Sequence, residues 1–277
     1  MDKRPIGIFD SGLGGLTCVP YLRQALPREK FIYFGDTART PYGSKDPSTI
    51  RAFSAQIAEF LVQHQVKMIV IACNTVSSIC LEDLQQRFPQ VPIVGIIEPA
   101  AQAIADTCVK GSSVAIIGTK VTVKSRVYEN LLKELKPELC LHAKACPAFV
   151  PLIEEGIIEN EIMDLTIKHY LDDFLQESQA DTLVLGCTHY PLIRKNIDRL
   201  YPDLRIINPS REIVKSVVAQ LEEHDLLSPG NSDFENIFYA SDLSENFVNM
   251  INRIFADENF RVEFRSVDPD ARKTPLE

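Results

Sequence analysis

Three segments in the first hundred residues return further along the chain, in the same order and after nearly the same interval. Ile6-Gly7-Ile8-Phe9-Asp10-Ser11 is echoed by Val114-Ala115-Ile116-Ile117-Gly118-Thr119, an offset of 114 − 6 = 108. Ile69-Val70-Ile71-Ala72-Cys73-Asn74 is echoed by Leu183-Val184-Leu185-Gly186-Cys187-Thr188, with 187 − 73 = 114 between the cysteines. Ile96-Ile97-Glu98-Pro99 is echoed by Ile206-Ile207-Asn208-Pro209, an offset of 209 − 99 = 110. Self-similarity at a steady interval marks a duplicated structural unit. A chain of 277 residues is then expected to hold two similar lobes, in line with ~150 residues per domain.

Each echo is a short apolar run that ends in a turn and is followed by apolar residues at helical spacing. That alternation predicts an α/β fold with mainly parallel sheets flanked by helices. Strands are predicted at residues 6–9, 31–34, 68–72 and 92–97, the last closed by Glu98-Pro99. Helical spacing follows in Leu16, Val19, Leu22 and Leu26, and again in Ile50, Phe53, Ile57, Phe60 and Leu61. A polar loop spans residues 35–47, with Pro41-Tyr42-Gly43 at its centre. After Pro209 come helical patterns at 213–221 and 247–255 and a strand pattern at 261–267, which are expected to return the chain to the first lobe. The lobes are therefore expected at residues 1–98 with 209–277, and at residues 99–208. No low-complexity linker divides them, so they should pack closely and leave a cleft between them. The polar tail, residues 268–277, is expected to fray.

Lys plus Arg number 29 against 38 Asp plus Glu, a net charge of −9. That balance argues against a polyanion-binding surface, so no direct nucleic-acid contact is expected. No apolar run approaches the ~20 residues that span a bilayer, and the N-terminus lacks a signal-peptide h-region. A cytoplasmic protein without membrane contact is expected. The seven cysteines stand at 18, 73, 80, 108, 140, 146 and 187, without a C-x-x-C. That spacing suits neither a disulfide framework nor a zinc site, and predicts reduced thiols, most of them small buried hydrophobes.

Cys73 and Cys187 stand apart, because each is predicted where a strand ends and a helix begins. Ligands of open α/β sheets bind at that carboxyl edge, and a helix N-terminus favours a thiolate or a bound carboxylate. Lowering a thiol pKa from ~8.5 to ~7 takes about 2 kcal/mol, within reach of a dipole and hydrogen bonds. An isolated cysteine is more often an inert core residue. Two in equivalent places of two similar lobes, followed by Asn74-Thr75 and Thr188, point to chemistry instead. One, as thiolate, can take a proton from a carbon while the other, as thiol, returns one to the opposite face. Asp10 and His189 lie near enough in sequence to tune them. A metal site of Cys73, Cys187 and His189 is disfavoured by the spacing. Gly12-x-Gly14-Gly15 invites a dinucleotide reading, but Thr17 stands where G-x-G-x-x-G needs glycine. These glycines read first as tight-turn and close-packing residues.

At these positions the sequence resembles the glutamate racemases of the aspartate/glutamate racemase superfamily. The resemblance rests on the stretch from Gly7 through Asp10-Ser11-Gly12 to Leu16, Gly35-Asp36, Pro41-Tyr42-Gly43-x-Lys45 and Ala72-Cys73-Asn74-Thr75. It continues through Gly95-x-x-Glu98-Pro99, Phe149-Val150-Pro151-Leu152-x-Glu154 and Gly186-Cys187-Thr188-His189-Tyr190-Pro191-Leu192. It implies cofactor-free interconversion of L- and D-glutamate, supply of D-glutamate for bacterial peptidoglycan, and two pseudosymmetric lobes, often in a homodimer, with the active site between them. It implies further that Cys73 deprotonates D-glutamate and Cys187 deprotonates L-glutamate, assisted by Asp10 and His189 respectively, with Glu154 as a further assistant. Asp10, Ser11, Pro41, Tyr42, Gly43, Asn74, Thr75, Thr119, Thr122, Thr188 and His189 match substrate-binding positions, beside the two cysteines. Val121 departs from the family's usual Gly-Thr-x-Gly-Thr, which bears on the local loop geometry. The resemblance also argues against a nicotinamide cofactor. Three rivals remain at this stage: a racemase for aspartate or a related acid, a racemase-fold protein with a regulatory binding role, and a dithiol redox protein that would form a Cys73–Cys187 disulfide.

Overall fold

The computed structural model describes residues 1–230, 235–254 and 260–268. The chain runs β1 (Ile6–Asp10), α1 (Val19–Ala25), β2 (Phe31–Gly35), α2 (Pro47–Gln63), β3 (Met68–Ile71), α3 (Asn74–Arg87), β4 (Ile93–Gly95) and α4 (Ile97–Thr107). It continues with β5 (Ser113–Gly118), α5 (Lys120–Ser125), α6 (Val127–Leu135), β6 (Cys140–Ala145), α7 (Phe149–Glu154), α8 (Glu161–Ser178) and β7 (Thr182–Gly186). The remainder is α9 (Arg194–Leu200), β8 (Arg205–Ile207), α10 (Pro209–Glu223), β9 (Asn236–Ala240), α11 (Glu245–Ile254) and β10 (Phe260–Phe264).

These strands form two parallel sheets, in the orders β10-β9-β2-β1-β3-β4 and β6-β5-β7-β8. The run β2-β1-β3-β4 has the same order as β6-β5-β7-β8, so the sequence echoes fall on equivalent strands: β1 with β5, β3 with β7. Two strands from the C-terminal part, β9 and β10, extend the first sheet beside β2. This is the expected α/β architecture of two lobes, each a parallel sheet flanked by helices.

Side chains alternate faces along a strand, and here the alternation divides the apolar residues among three clusters. Ile6, Ile8, Val70, Val114, Ile116 and Val184 enter one central cluster that spans both sheets, together with α4 and α10 residues Ile104, Ile213 and Val217. Phe9, Ile32, Phe34, Ile69 and Ile71 face outward onto α2 and α3. Ala115, Ile117, Leu183 and Leu185 face outward onto α7, α8 and α9. The two lobes therefore share one core, closed by α4 packed on α10.

Local capping sets the helix starts. Asp46, Asn160 and Asn208 accept from backbone N–H groups at Ser48, Met163 and Ser210, and Pro47 and Pro209 occupy first-turn positions that need no donor. One predicted boundary is corrected: β4 stops at Gly95, and Ile97-Glu98-Pro99 opens α4 instead of closing a strand. Proline is tolerated there because first-turn N–H groups lack intrahelical partners, and Glu98 complements the positive helix end. The structure adds β6, α8 and β9, which the apolar runs did not signal. Of the late predictions, residue 255 and the tail beyond residue 268 lie outside the described residues. A buried ion pair ties the chain's distant parts together: Lys67 Nζ lies 2.5 Å from Glu29 Oε2 and donates to the carbonyls of Asp2 and Leu226. Among the described residues no helix is long and apolar enough to cross a membrane.

Candidate active site

The carboxyl ends of β1, β3, β5 and β7 converge between the lobes. The strand order reverses at β1 and at β5, the switch point where parallel sheets open a crevice. Ser11, Pro41, Tyr42, Gly43, Cys73, Asn74 and Thr75 from one side, with Thr119, Val150, Cys187, Thr188 and His189 from the other, line one narrow cavity. Cys73 is 4% and Cys187 6% exposed. The predicted site residues thus come together, while Asp10, Thr122 and Glu154 stand one layer behind the lining. Larger depressions open on the surface, but neither cysteine of the pair lines them.

The two thiols have different neighbours. Cys73 caps α3, and its Sγ donates to Ser11 Oγ at 3.6 Å. Burial, then the charge of Asp10, pushes the Cys73 thiol well above the usual range. The Val76 N–H in the first turn of α3 and the Ser11 hydroxyl act the other way without prevailing. The sequence reading expected a helix-lowered pKa; complete burial outweighs the helix end. Cys187 is not followed by an α-helix: a turn and a short 3₁₀ segment, Tyr190–Ile193, precede α9. Its Sγ lies 3.8 Å from His189 Nδ1, and His189 Nε2 lies 2.6 Å from Glu154 Oε1. Burial alone would lower the His189 pKa, but the hydrogen bonds to Cys187 and Glu154 outweigh it and push it up to about 10. Its surroundings thus favour the charged form of the imidazole beside Cys187.

Asp10 is fully buried and accepts from the Gly12 N–H at 3.0 Å and from Thr188 Oγ1 at 3.1 Å, so it links the lobes instead of bonding Cys73. Burial raises its pKa, against the charge of His189 and the hydrogen bonds it accepts. Tyr42 donates its hydroxyl to Asp36, whose carboxylate also holds Arg39 Nε at 2.7 Å and Ser241 Oγ at 2.8 Å. That anchors the 35–47 loop, whose Gly43 abuts Thr119 so closely that a Cβ would meet Thr119 Cβ at 2.3 Å. Thr119 Oγ1 lies 3.0 Å from both Thr75 Oγ1 and Thr122 Oγ1, a hydroxyl cluster across the lobes. Val121 sits within regular α5 and packs against the first lobe's outer core, so the missing glycine leaves the loop intact. Val150 also lines the cavity, a position the sequence reading had not assigned. Among the described residues no group of three or more His, Cys, Asp or Glu is placed to hold a metal.

The two-lobe fold of parallel sheets is shared with solved racemases, and the chain belongs to the Asp/Glu/hydantoin racemase family, whose sequence profile matches residues 17–217. Within it, the chain is similar to glutamate racemases. The glutamate racemase of Geobacter metallireducens is 42% identical over 254 residues, covering 91% of this chain and 93% of that one. That of Neisseria meningitidis is 38% identical over 96% of this chain and 97% of its own. The crystal structure of glutamate racemase from Francisella tularensis in complex with D-glutamate superposes with a TM-score of 0.88 at 36% identity, covering 97% of this chain and 99% of that one.

Proposed function

We propose that this chain interconverts L- and D-glutamate by two-base proton transfer at the α-carbon, without a cofactor, and supplies D-glutamate for bacterial peptidoglycan. The observation that carries the reading is Cys73 and Cys187, one from each half of the duplication, lining one narrow cavity. The lobe boundaries (1–98 with 209–277, and 99–208), a cytoplasmic homodimer and the residue roles below belong to the same reading.

With L-glutamate, the Cys187 thiolate takes the α-proton and becomes a thiol. The electron pair passes into the α-carboxylate, and Cys73 delivers its own proton to the opposite face, becoming a thiolate. D-glutamate runs the steps in reverse, so each turnover leaves the enzyme set for the other enantiomer. The pushed-up pKa of Cys73 suits a thiol that waits to give a proton. His189, held by Glu154, exchanges a proton with Cys187. Asp10 orients Thr188 and sits near the Cys73 side. The carbanion's charge needs fixed donors; in this reading Asn74 Nδ2 and free first-turn N–H groups of α3 supply them. Ser11, Pro41, Tyr42, Gly43, Thr75, Thr119 and Thr122 shape the remainder of the substrate site.

Racemisation in D₂O tests the reading. Solvent deuterium should enter the product's α-position, and Cys73→Ala or Cys187→Ala should each abolish racemisation; undiminished turnover in both variants overturns it. Turnover of L-glutamate against L-aspartate checks the side-chain length accepted.

A further inference from the structure

Asn74 lines the cavity, is 2% exposed, and has its amide unevenly satisfied. Its Oδ1 accepts from the Tyr128 hydroxyl at 2.8 Å. Its Nδ2 is buried and has no hydrogen-bond partner among the described residues. A primary amide can turn over and exchange its two ends, so which end faces the cavity is decided by what holds the other. Tyr128 is 1% exposed and comes from α6, in the lobe opposite Asn74. Its ring lies under the strand end that carries the second thiol: a Cβ on Gly186 would stand 3.6 Å from Tyr128 Cε2. Its apolar body belongs to the core shared by the two lobes.

We propose that Tyr128 is a positioning residue for the racemase site, and that its hydroxyl locks the Asn74 amide with Nδ2 turned to the cavity as a carboxylate donor. The inference rests on the functional reading above. A buried, unpaired N–H donor is a standing penalty to the fold, relieved when an anionic acceptor enters. The same side chain reaches from the shoulder of Cys187 to the residue after Cys73, and so ties substrate binding to the seating of the two lobes.

The test is steady-state kinetics on wild type, Tyr128→Phe, Asn74→Ala and the double variant, with melting temperatures alongside. Tyr128→Phe keeps the ring and removes only the hydroxyl. It should raise KM for both enantiomers about tenfold, the scale of one hydrogen bond to a charged group, with a smaller change in kcat. In the Asn74→Ala background the same change should alter KM less than about twofold. Asn74→Asp, which keeps the acceptor for Tyr128 and removes the donor, should raise KM at least as far as Asn74→Ala. An equal KM shift from Tyr128→Phe in both backgrounds, or none in either, overturns the proposal, as does a KM effect that merely tracks a lower melting temperature. A wild type that exchanges no α-proton of glutamate overturns the functional reading instead.

Discussion

A methyl group on Gly14 would lie 2.4 Å from Nδ1 of His189 and 2.6 Å from Oγ1 of Thr188. Gly14→Ala must therefore displace the imidazole that faces Cys187, and kcat should fall at least tenfold while the protein still folds, checked by racemase assay beside circular dichroism. The glycine is there for close packing, as read from sequence. His189 also leaves a mark on stability. Its pKa in the fold, about 10, exceeds the unfolded value of 6.5, so its contribution is complete below about pH 6.5 and is lost as pH rises through 10. A single proton gives a slope of up to about 1.4 kcal/mol per pH unit. Unfolding free energy should therefore decline between pH 7 and 10, and Glu154→Gln should flatten that decline. At this scale the cysteine pair was legible because the duplication put both thiols at matching places. Val150 and Tyr128 were not, since their part depends on what the opposite lobe brings to them. The direction of the Cys73 shift was misread because burial cannot be weighed from a strand–helix boundary alone.

At the scale of elements, the echoes located the central strands of both sheets, where continuous apolar runs are buried on two faces. Edge strand β6 escaped because Cys140, His142 and Lys144 interrupt it, and it is only half-buried. Helix α8 carries its buried Met163, Ile167 and Leu171 at helical spacing, but its other positions are mostly polar. The duplication is not carried through locally: Cys73 leads directly into a helix, and Cys187 into a turn that lets His189 fold back on it. An element boundary also hides the buried Lys67, which precedes β3 and holds Glu29 and the carbonyls of Asp2 and Leu226. Lys67→Met leaves a carboxylate buried without its partner, and should lower stability by about 3–5 kcal/mol in urea unfolding.

At the scale of the whole molecule, one core spans both lobes, so neither lobe can unfold while the other keeps its apolar face covered. Calorimetry should give a single transition, with calorimetric and van't Hoff enthalpies equal. The cavity adjoins, through Gly43, Ser44 and Lys120, a surface depression lined by Lys45, Lys120 and Lys124 beside Asp46. In a chain of net charge −9 this locally positive mouth favours an anionic substrate. KM for glutamate should rise roughly two- to fivefold when ionic strength goes from ~0.01 to ~0.3 M, as screening shortens. The unlike surroundings of the two thiols, Ser11 on one and the His189–Glu154 pair on the other, meet a limit set outside the protein. Mirror-image amino acids have equal free energies in water, so their equilibrium constant is one. The ratio kcat/KM must then be identical in the two directions, whatever the active site looks like. The asymmetry built around Cys73 and Cys187 can express itself only by trading kcat against KM, with the faster direction necessarily the one that has the higher KM.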